Sequence, residues 1–387
     1  MGKDEKAMRD IQNLREEIDQ IDTEIVRAFQ RRMDVALDIA KYKQENGLPV
    51  FNPGREREVI NRVAENCAPE MVMYAKLLYN TLFDVSRSYQ QRYLTPKTEL
   101  AGRLIRVMEE TPKIFPKQAV VACQGVEGAY SQQACDKLFS LPNIMYFKRF
   151  EGVFQAIESG MCRYGMLPIE NSSHGSVTEV YDLMRKHRFS IVRSVRLKID
   201  HRLLSNGEIN PAEIREIVSH EQAIGQCSEF LKGLKDVKIT VCENTATAAQ
   251  MVAQSGRTDI AAISSPACAA LYGLTVLKEN ISNSDSNFTR FICIAKDLEI
   301  YPGANKMGLM LNVQHKPGAL YNMIAKFSAL GLNLTKLESR PIAGTDFEFM
   351  FYFDLDASVY DEAALSLLSE LDAGPEQFTF LGSYSEM

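Results

Sequence analysis

The chain holds 387 residues with a formal net charge of −6; 45% of them are hydrophobic and 24% charged, an ordinary balance for soluble globular domains. At about 100–200 residues per domain there is room for two to four domains. The acidic balance, with a pI near 5.6, argues against a nucleic-acid binder, and no apolar run approaches the roughly 18 residues of a membrane helix. The charged start Met-Gly-Lys-Asp-Glu-Lys leads into no apolar core of the kind a secretion signal carries. Eight cysteines (67, 123, 135, 162, 227, 242, 268 and 293) show no C-x-x-C and no zinc spacing with the five histidines, so reduced thiols in a cytoplasmic protein, no metal and no cofactor are expected. The Asn-x-Ser/Thr matches at Asn171, Asn280, Asn287 and Asn333 carry no glycosylation meaning without secretion.

A multidomain chain is predicted. Residues 1–93 read as all helix, punctuated by Pro49, Pro53 and Pro69. Residues 94–117 hold Pro96, Pro112 and Pro116 around a short helical pattern and read as a linker. From 118 to 298 short apolar runs alternate with helical patterns, which predicts α/β with a largely parallel sheet. A boundary falls near Tyr301-Pro302-Gly303, and 306–385 read strand, helix, strand, strand, helix, strand, the α+β ferredoxin-like order.

In the first helix Ile11, Leu14, Ile18, Ile21, Ile25, Ala28, Val35 and Ile39 form an apolar stripe, which Arg32 interrupts in the register 11, 18, 25, 32, 39. Arg32 either snorkels at the surface or meets an anion, since a buried cation without one is costly. Arg15 and Lys43 lie beside the stripe, about 42 Å apart at 1.5 Å per residue, too far to hold one small molecule from the same helix. Arg32 and Lys43, about 16 Å apart on nearly the same face, can close on a small anion. Arg15 could join only from an antiparallel copy, which would make the protein a symmetric dimer with shared sites. Asn52-Pro53-Gly54-Arg55-Glu56 reads as a capped helix start, and Ser86 and Gln90 share a helix face.

L-R-E-x-I-D-x-I-D at 14–22, R-R-M at 31–33, K-Y-K at 41–43, R-E-R at 55–57 and S-x-x-x-Q at 86–90 resemble the all-helical chorismate mutases. The resemblance implies a pocket lined by Arg15, Arg32, Lys43, Asn52, Arg55, Glu56, Ser86 and Gln90. In it Arg15 and Arg32 would hold the carboxylates of chorismate, Lys43 and Gln90 would face the ether oxygen, and Glu56 would serve the hydroxyl. Asn52 stands where the family often has Asp. The reaction is pericyclic: it needs a compact conformer held in place and donors where negative charge develops.

Five loop motifs follow apolar runs: G-V-E-G-A-Y-S at 125–131, P-I-E-N-S-S-H-G-S at 168–176, S-H-E-Q-A-I-G-Q-C at 219–227, E-N-T-A-T-A-A at 243–249 and N-F-T-R-F at 287–291. Small hydroxyl residues, Asn and Gly at strand ends suit an anion-binding crevice, though turns and caps use the same residues. No dinucleotide fingerprint or P-loop is present. In this order the motifs resemble prephenate dehydratase, which implies two α/β lobes like those of type-2 periplasmic binding proteins and a site of Asn171, Ser172, His220, Thr245, Thr289, Arg290 and Phe291. Thr289 would be the essential threonine. A Thr hydroxyl is too weak an acid to act alone, so Thr289 would donate a hydrogen bond, with His220 and Glu170 as titratable candidates. Glu170 could equally cap its own loop, and Arg290 could bind a carboxylate or only brace the lobe.

P-G-A-L-Y at 317–321 and N-L-T-K-L-E-S-R-P at 333–341 resemble the phenylalanine-binding segments of an ACT regulatory domain. That implies an effector site of Gly318, Ala319, Leu320, Asn333, Leu334, Glu338 and Ser339, with Glu338 facing the α-ammonium group, and a homodimer or higher oligomer. On residues alone, Gly318 could merely make a tight turn and Glu338 pair with Arg340. Together the resemblances imply an enzyme of phenylalanine synthesis, taking chorismate to prephenate and on to phenylpyruvate under feedback by phenylalanine. A dehydratase with a non-catalytic helical dimerisation domain, a silent sensor, or arogenate in place of prephenate are the alternatives.

Overall fold

The computed structural model describes residues 2–48, 52–94, 98–313, 315, 317–342, 344, 348–374 and 377–387; Pro49, Pro96 and the start of the expected linker lie outside them. Two compact units are formed. One comprises 1–102 with 320–326 and 366–375; the other comprises 103–319 with 327–365 and 376–387. Among the described residues no helix is long and apolar enough to cross a membrane.

The first unit is helical, as expected. Helix α1 (Gly2–Glu45) is followed by α2 (Pro53–Glu65) and α3 (Val72–Leu94). Asn52 caps α2 through its side-chain oxygen, which accepts from the Arg55 amide at 3.1 Å, with Pro53 in the first turn. The face of α1 that packs inside this unit is not the predicted stripe. Met33 and Ala40 are buried and Arg32 half-buried, whereas Ile18 and Ile25 are 56% and 58% exposed and the rest of the stripe faces the same side. The helix thus carries two apolar faces, one of which has no partner among the described residues of the unit.

Helix α4 (Glu99–Glu110) occupies half of the expected linker. Its downstream residues belong to a core: Phe115 packs among Phe139, Tyr164 and Tyr301 at ring distances of 4.9–5.7 Å, and Thr111 Oγ1 accepts from the Ile300 amide.

The second unit contains three sheets. The first has the order β2 (Leu141–Phe147), β1 (Gln118–Gln124), β3 (Tyr164–Asn171), β11 (Phe288–Ala295), β5 (Ser190–Lys198), with β4 (Gly175–Ser176) on β3. The second runs β10 (Thr275–Lys278), β6 (Arg202–Ser205), β9 (Ile260–Ser264), β7 (Glu216–Ser219), β8 (Lys238–Val241). Helices α5 (Tyr130–Leu138), α6 (Phe150–Glu158) and α7 (Thr178–Met184) belong to the first lobe; α8 (Glu221–Gln226), α9 (Ser228–Lys232), α10 (Thr245–Ser255) and α11 (Pro266–Tyr272) belong to the second. The expected largely parallel sheet is therefore two mixed sheets. The chain leaves the first lobe after β5, builds the second, and returns as β11, which runs antiparallel to both β3 and β5. Alternation of strand and helix reports parallel crossovers, but not a strand that comes home from another lobe.

The third sheet is antiparallel: β13 (Asn333–Pro341), β14 (Phe349–Asp356), β12 (Lys306–Asn312), β15 (Phe378–Tyr384), with α12 (Ala319–Ala329) and α13 (Glu362–Asp372) in the connections. This is the ferredoxin-like order predicted. Met310, Met350, Tyr352, Leu381 and Tyr384 join one apolar cluster with Ile191 and Ile292 of the first lobe.

Candidate active sites

In the helical unit, Arg32 Nη1 donates to Ser86 Oγ at 2.5 Å and to the Leu82 carbonyl at 3.3 Å, and its guanidinium lies over the Phe83 ring. Burial lowers the pKa of Arg32 without threatening its charge. Ser86 is buried and Gln90, one turn on, is half-buried. Glu56 pairs with Arg87, which also pairs with Asp84. Arg87 escaped the sequence reading because nothing in its spacing sets it apart from a solvated helix face. Arg55 turns to Glu58 at 2.9 Å. Lys43 is half-buried in the last turn of α1, whereas Arg15 is exposed, 17 residues from Arg32 or about 26 Å along the axis. One chain therefore brings Arg32, Glu56, Ser86 and Arg87 to facing helices and leaves Arg15 out.

The second unit holds a cleft of about 530 Å³. Asn171, Thr289 and Phe291 line it from the first lobe; His220, Gln226 and Thr245 line it from the second. Strand alternation on β11 sends Thr289 and Phe291 to one face and Arg290 to the other.

The side-chain orientations follow from two backbone anchors. Asn171 Oδ1 accepts from the Ser173 and His174 amides, both at 3.0 Å, so its Nδ2 must be the end that faces Asn287 Oδ1 at 2.8 Å and Thr289 Oγ1 at 2.9 Å. Thr289 is thereby an acceptor from Asn171, and its own hydrogen remains for a ligand. Asn287 Nδ2 in turn donates to Gln226 Oε1 at 2.8 Å, and His201 Nε2 shares that oxygen at 2.7 Å, so His201 carries its proton on Nε2. Burial lowers the pKa of His201, keeping it neutral. His220 caps α8, its Nδ1 accepting from the Gln222 amide at 3.3 Å, which places its proton on Nε2. Burial lowers its pKa as well, so it enters the cleft as a neutral donor. Gln226 and Asn287 sit inside motifs quoted above, yet only the fold shows them joining the two lobes. His201 gave no sequence signal.

Three expectations are corrected. Arg290 does not line the cleft: it pairs with Asp354 at 2.5 Å and Glu170 at 3.3 Å. Burial works against its charge, but Asp354 more than offsets this and holds its pKa above the ordinary value. Glu170 is likewise spent, on Lys336 at 2.8 Å and Arg290, on the far side of β3 from Asn171. Ser172 closes the loop instead, donating to the Ser286 carbonyl and accepting from the Phe288 amide, both at 2.9 Å.

In the third sheet Gly318 has φ +82°, a turn that leads into α12 at Ala319 and Leu320. Asn333 and Ser339 lie on the exposed face of β13, where Asn333 donates to Asp356. Leu334 and Glu338 face the other way, and Glu338 accepts from Ser176 Oγ at 2.5 Å. The expectation that Glu338 awaits an ammonium group is thus corrected: the period-2 alternation of β13 puts it opposite Ser339.

With this geometry in hand, the comparisons divide the chain in the same way. The chorismate mutase type II family matches residues 14–91 and the prephenate dehydratase family residues 121–299. The bifunctional chorismate mutase/prephenate dehydratase of Escherichia coli (strain K12) is 30% identical over 96% of this chain and 95% of its own length. An arogenate dehydratase/prephenate dehydratase of Arabidopsis thaliana is 33% identical over 78% of this chain and 80% of its own. Prephenate dehydratase from Arthrobacter aurescens, solved in complex with L-Phe, matches with a TM-score of 0.62 at 26% identity, covering 69% of this chain and 90% of that one. A helical mutase unit followed by a two-lobed dehydratase defines a two-activity enzyme of aromatic amino acid synthesis. The chain belongs to the bifunctional chorismate mutase/prephenate dehydratase family, and it carries both enzyme domains.

Proposed function

We propose that Thr289 is the donor that drives dehydration. Prephenate, a dianion, takes up one proton and yields phenylpyruvate, CO₂ and water as the ring becomes aromatic. Thr289 donates a hydrogen bond to the departing hydroxyl while keeping its own proton, and the Nε2–H of His220 is a second donor within the cleft; Asn171 fixes Thr289, and Thr245 and Phe291 shape the pocket. The observation that carries this reading is the Asn171 amide, anchored by two backbone N–H groups, which leaves the Thr289 hydroxyl no role toward Asn171 but acceptor.

In the mutase reaction Arg32 holds a carboxylate of chorismate, Lys43 and Gln90 face the ether oxygen, and Asn52, Arg55, Glu56 and Ser86 complete the wall. Arg15 of a second copy closes the pocket. The exposed stripe of α1, which begins beside Arg15, supports a symmetric dimer built along that helix. Phenylalanine acts as the effector through the turn at Gly318 and the outer face of β13, a reading supported by the L-Phe complex of the Arthrobacter relative. The protein works in the cytoplasm. Arogenate is a second substrate for the same cleft, on the strength of the Arabidopsis relative.

The test is one assay on purified protein: supply chorismate and follow its loss and the appearance of phenylpyruvate, with and without phenylalanine. Phenylpyruvate from chorismate alone, suppressed by phenylalanine, is expected. Chorismate left untouched while prephenate is consumed would sink the mutase roles, and turnover indifferent to phenylalanine would sink the effector role.

A further inference from the structure

Prephenate brings two carboxylates into the cleft, and they have different fates. The ring carboxylate leaves as neutral CO₂, so a cation fixed upon it would stabilise the ground state and oppose the reaction. The carboxylate of the pyruvyl side chain persists into phenylpyruvate, so it can be gripped throughout. The arginine that the sequence suggested for this task, Arg290, is neutralised by Asp354 and Glu170 on the other face of β11. The cleft histidines are neutral. Among the described residues lining the cleft, two side chains are those of Lys or Arg, Lys148 and Arg149, which are adjacent in the segment between β2 and α6. Both are exposed, and neither side chain makes a hydrogen bond or ion pair with another described residue. Arg149 precedes α6 at its N-cap position without spending its side chain on the cap.

The geometry points to Lys148 and Arg149 as the grip on the side-chain carboxylate of the dehydratase substrate. This inference rests on the dehydratase reading of the cleft. A grip of this kind acts equally on ground state and transition state, so it sets KM and leaves kcat nearly alone. It also survives into the product complex.

The experiment uses the full chain. Phenylpyruvate formation from added prephenate is measured for the parent, Lys148→Gln, Arg149→Gln, Arg149→Lys and the double Gln variant, with phenylpyruvate as inhibitor. Loss of a charge-assisted hydrogen bond raises KM about tenfold in Arg149→Gln and more in the double variant, with Arg149→Lys between parent and Gln. The inhibition constant of phenylpyruvate rises in parallel. An unchanged KM in the double variant, or a fall in kcat alone, overturns the assignment. A raised KM with unchanged phenylpyruvate inhibition overturns the orientation, since the grip would then be on the carboxylate that is lost. Failure of the parent to consume prephenate would instead strike the dehydratase reading itself. Both side chains are exposed and unpaired, so thermal melting of the variants should match the parent and separate binding from folding.

Discussion

At the scale of residues, catalysis depends on which atom carries a hydrogen, and here the backbone decides it. The Ser173 and His174 amides orient Asn171, Asn171 orients Thr289, and Asn287 and Gln226 carry the same logic to His201 in the other lobe. Thr289→Val should lower dehydratase kcat by about 100-fold or more, the cost of one preorganised donor. Asn171→Ala should lower it less, because the hydroxyl remains but is free to rotate. Both are read as phenylpyruvate formed from prephenate, and a Thr289→Val variant that matches the parent would refute the donor role. The buried histidine gives a second prediction. The pKa of His201 is lowered by burial from an ordinary 6.5, so as pH falls the unfolded chain takes up the proton first. Its contribution to stability is full above that ordinary value and is lost as pH falls toward the folded pKa. Paired carboxylates such as Glu216, held at about 2, lose theirs only at lower pH. Melting temperature should therefore fall from pH 7 to 5, and less steeply in His201→Gln; equal slopes would exclude the burial argument.

At the scale of elements, β15 meets β5 with no room to spare. Gly382 has φ +143°, and a Cβ built there would lie 2.2 Å from the Ile191 carbonyl oxygen. Gly382→Ala should cost about 2 kcal/mol or more in denaturant unfolding, through strain as well as the clash; an unchanged midpoint would mean the strands separate freely. On β13 the inward residues reach the dehydratase lobe: Lys336 to Glu170, Glu338 to Ser176, and Arg340 to Asp182 in a bidentate pair at 2.8–2.9 Å. Residues that the motif marks for an effector thus also tie the third sheet to the wall of the cleft, since Ser176 lines it. On α1 the apolar stripe is exposed, and the proposed dimer would cover it. Ile18→Asp or Ile21→Asp should shift the protein to a smaller species on size exclusion and depress mutase more than dehydratase turnover. Unchanged elution would argue against pairing along this helix.

At the scale of the whole molecule, one chain carries two enzyme domains, and the residues proposed for the two reactions do not overlap. Lys43→Ala should abolish consumption of chorismate while sparing dehydration of added prephenate, and Thr289→Val should do the reverse and let prephenate accumulate. Parallel loss of both activities in either variant would defeat the assignment of separate sites.

The sequence by itself determined the order of modules, the helical character of the first, the βαββαβ order of the last, the residues Asn171, His220, Thr245, Thr289 and Phe291 that the fold brings to the cleft, and the pair Arg32 and Ser86 that it joins across facing helices. These are legible because periodicity, caps and short motifs are local. Only the tertiary structure decided that Arg290 and Glu170 pair away from the cleft, that Glu338 is spent on Ser176, that the stripe of α1 faces outward, and that Lys148, Arg149, His201 and Arg87 face the sites. For Arg290, Glu170, Glu338, His201 and Arg87 the physical reason is the same. The use of a charged or polar side chain is set by the partner that strand alternation and chain crossing bring within about 3 Å, and that partner lies up to 166 residues away, as Lys336 does from Glu170.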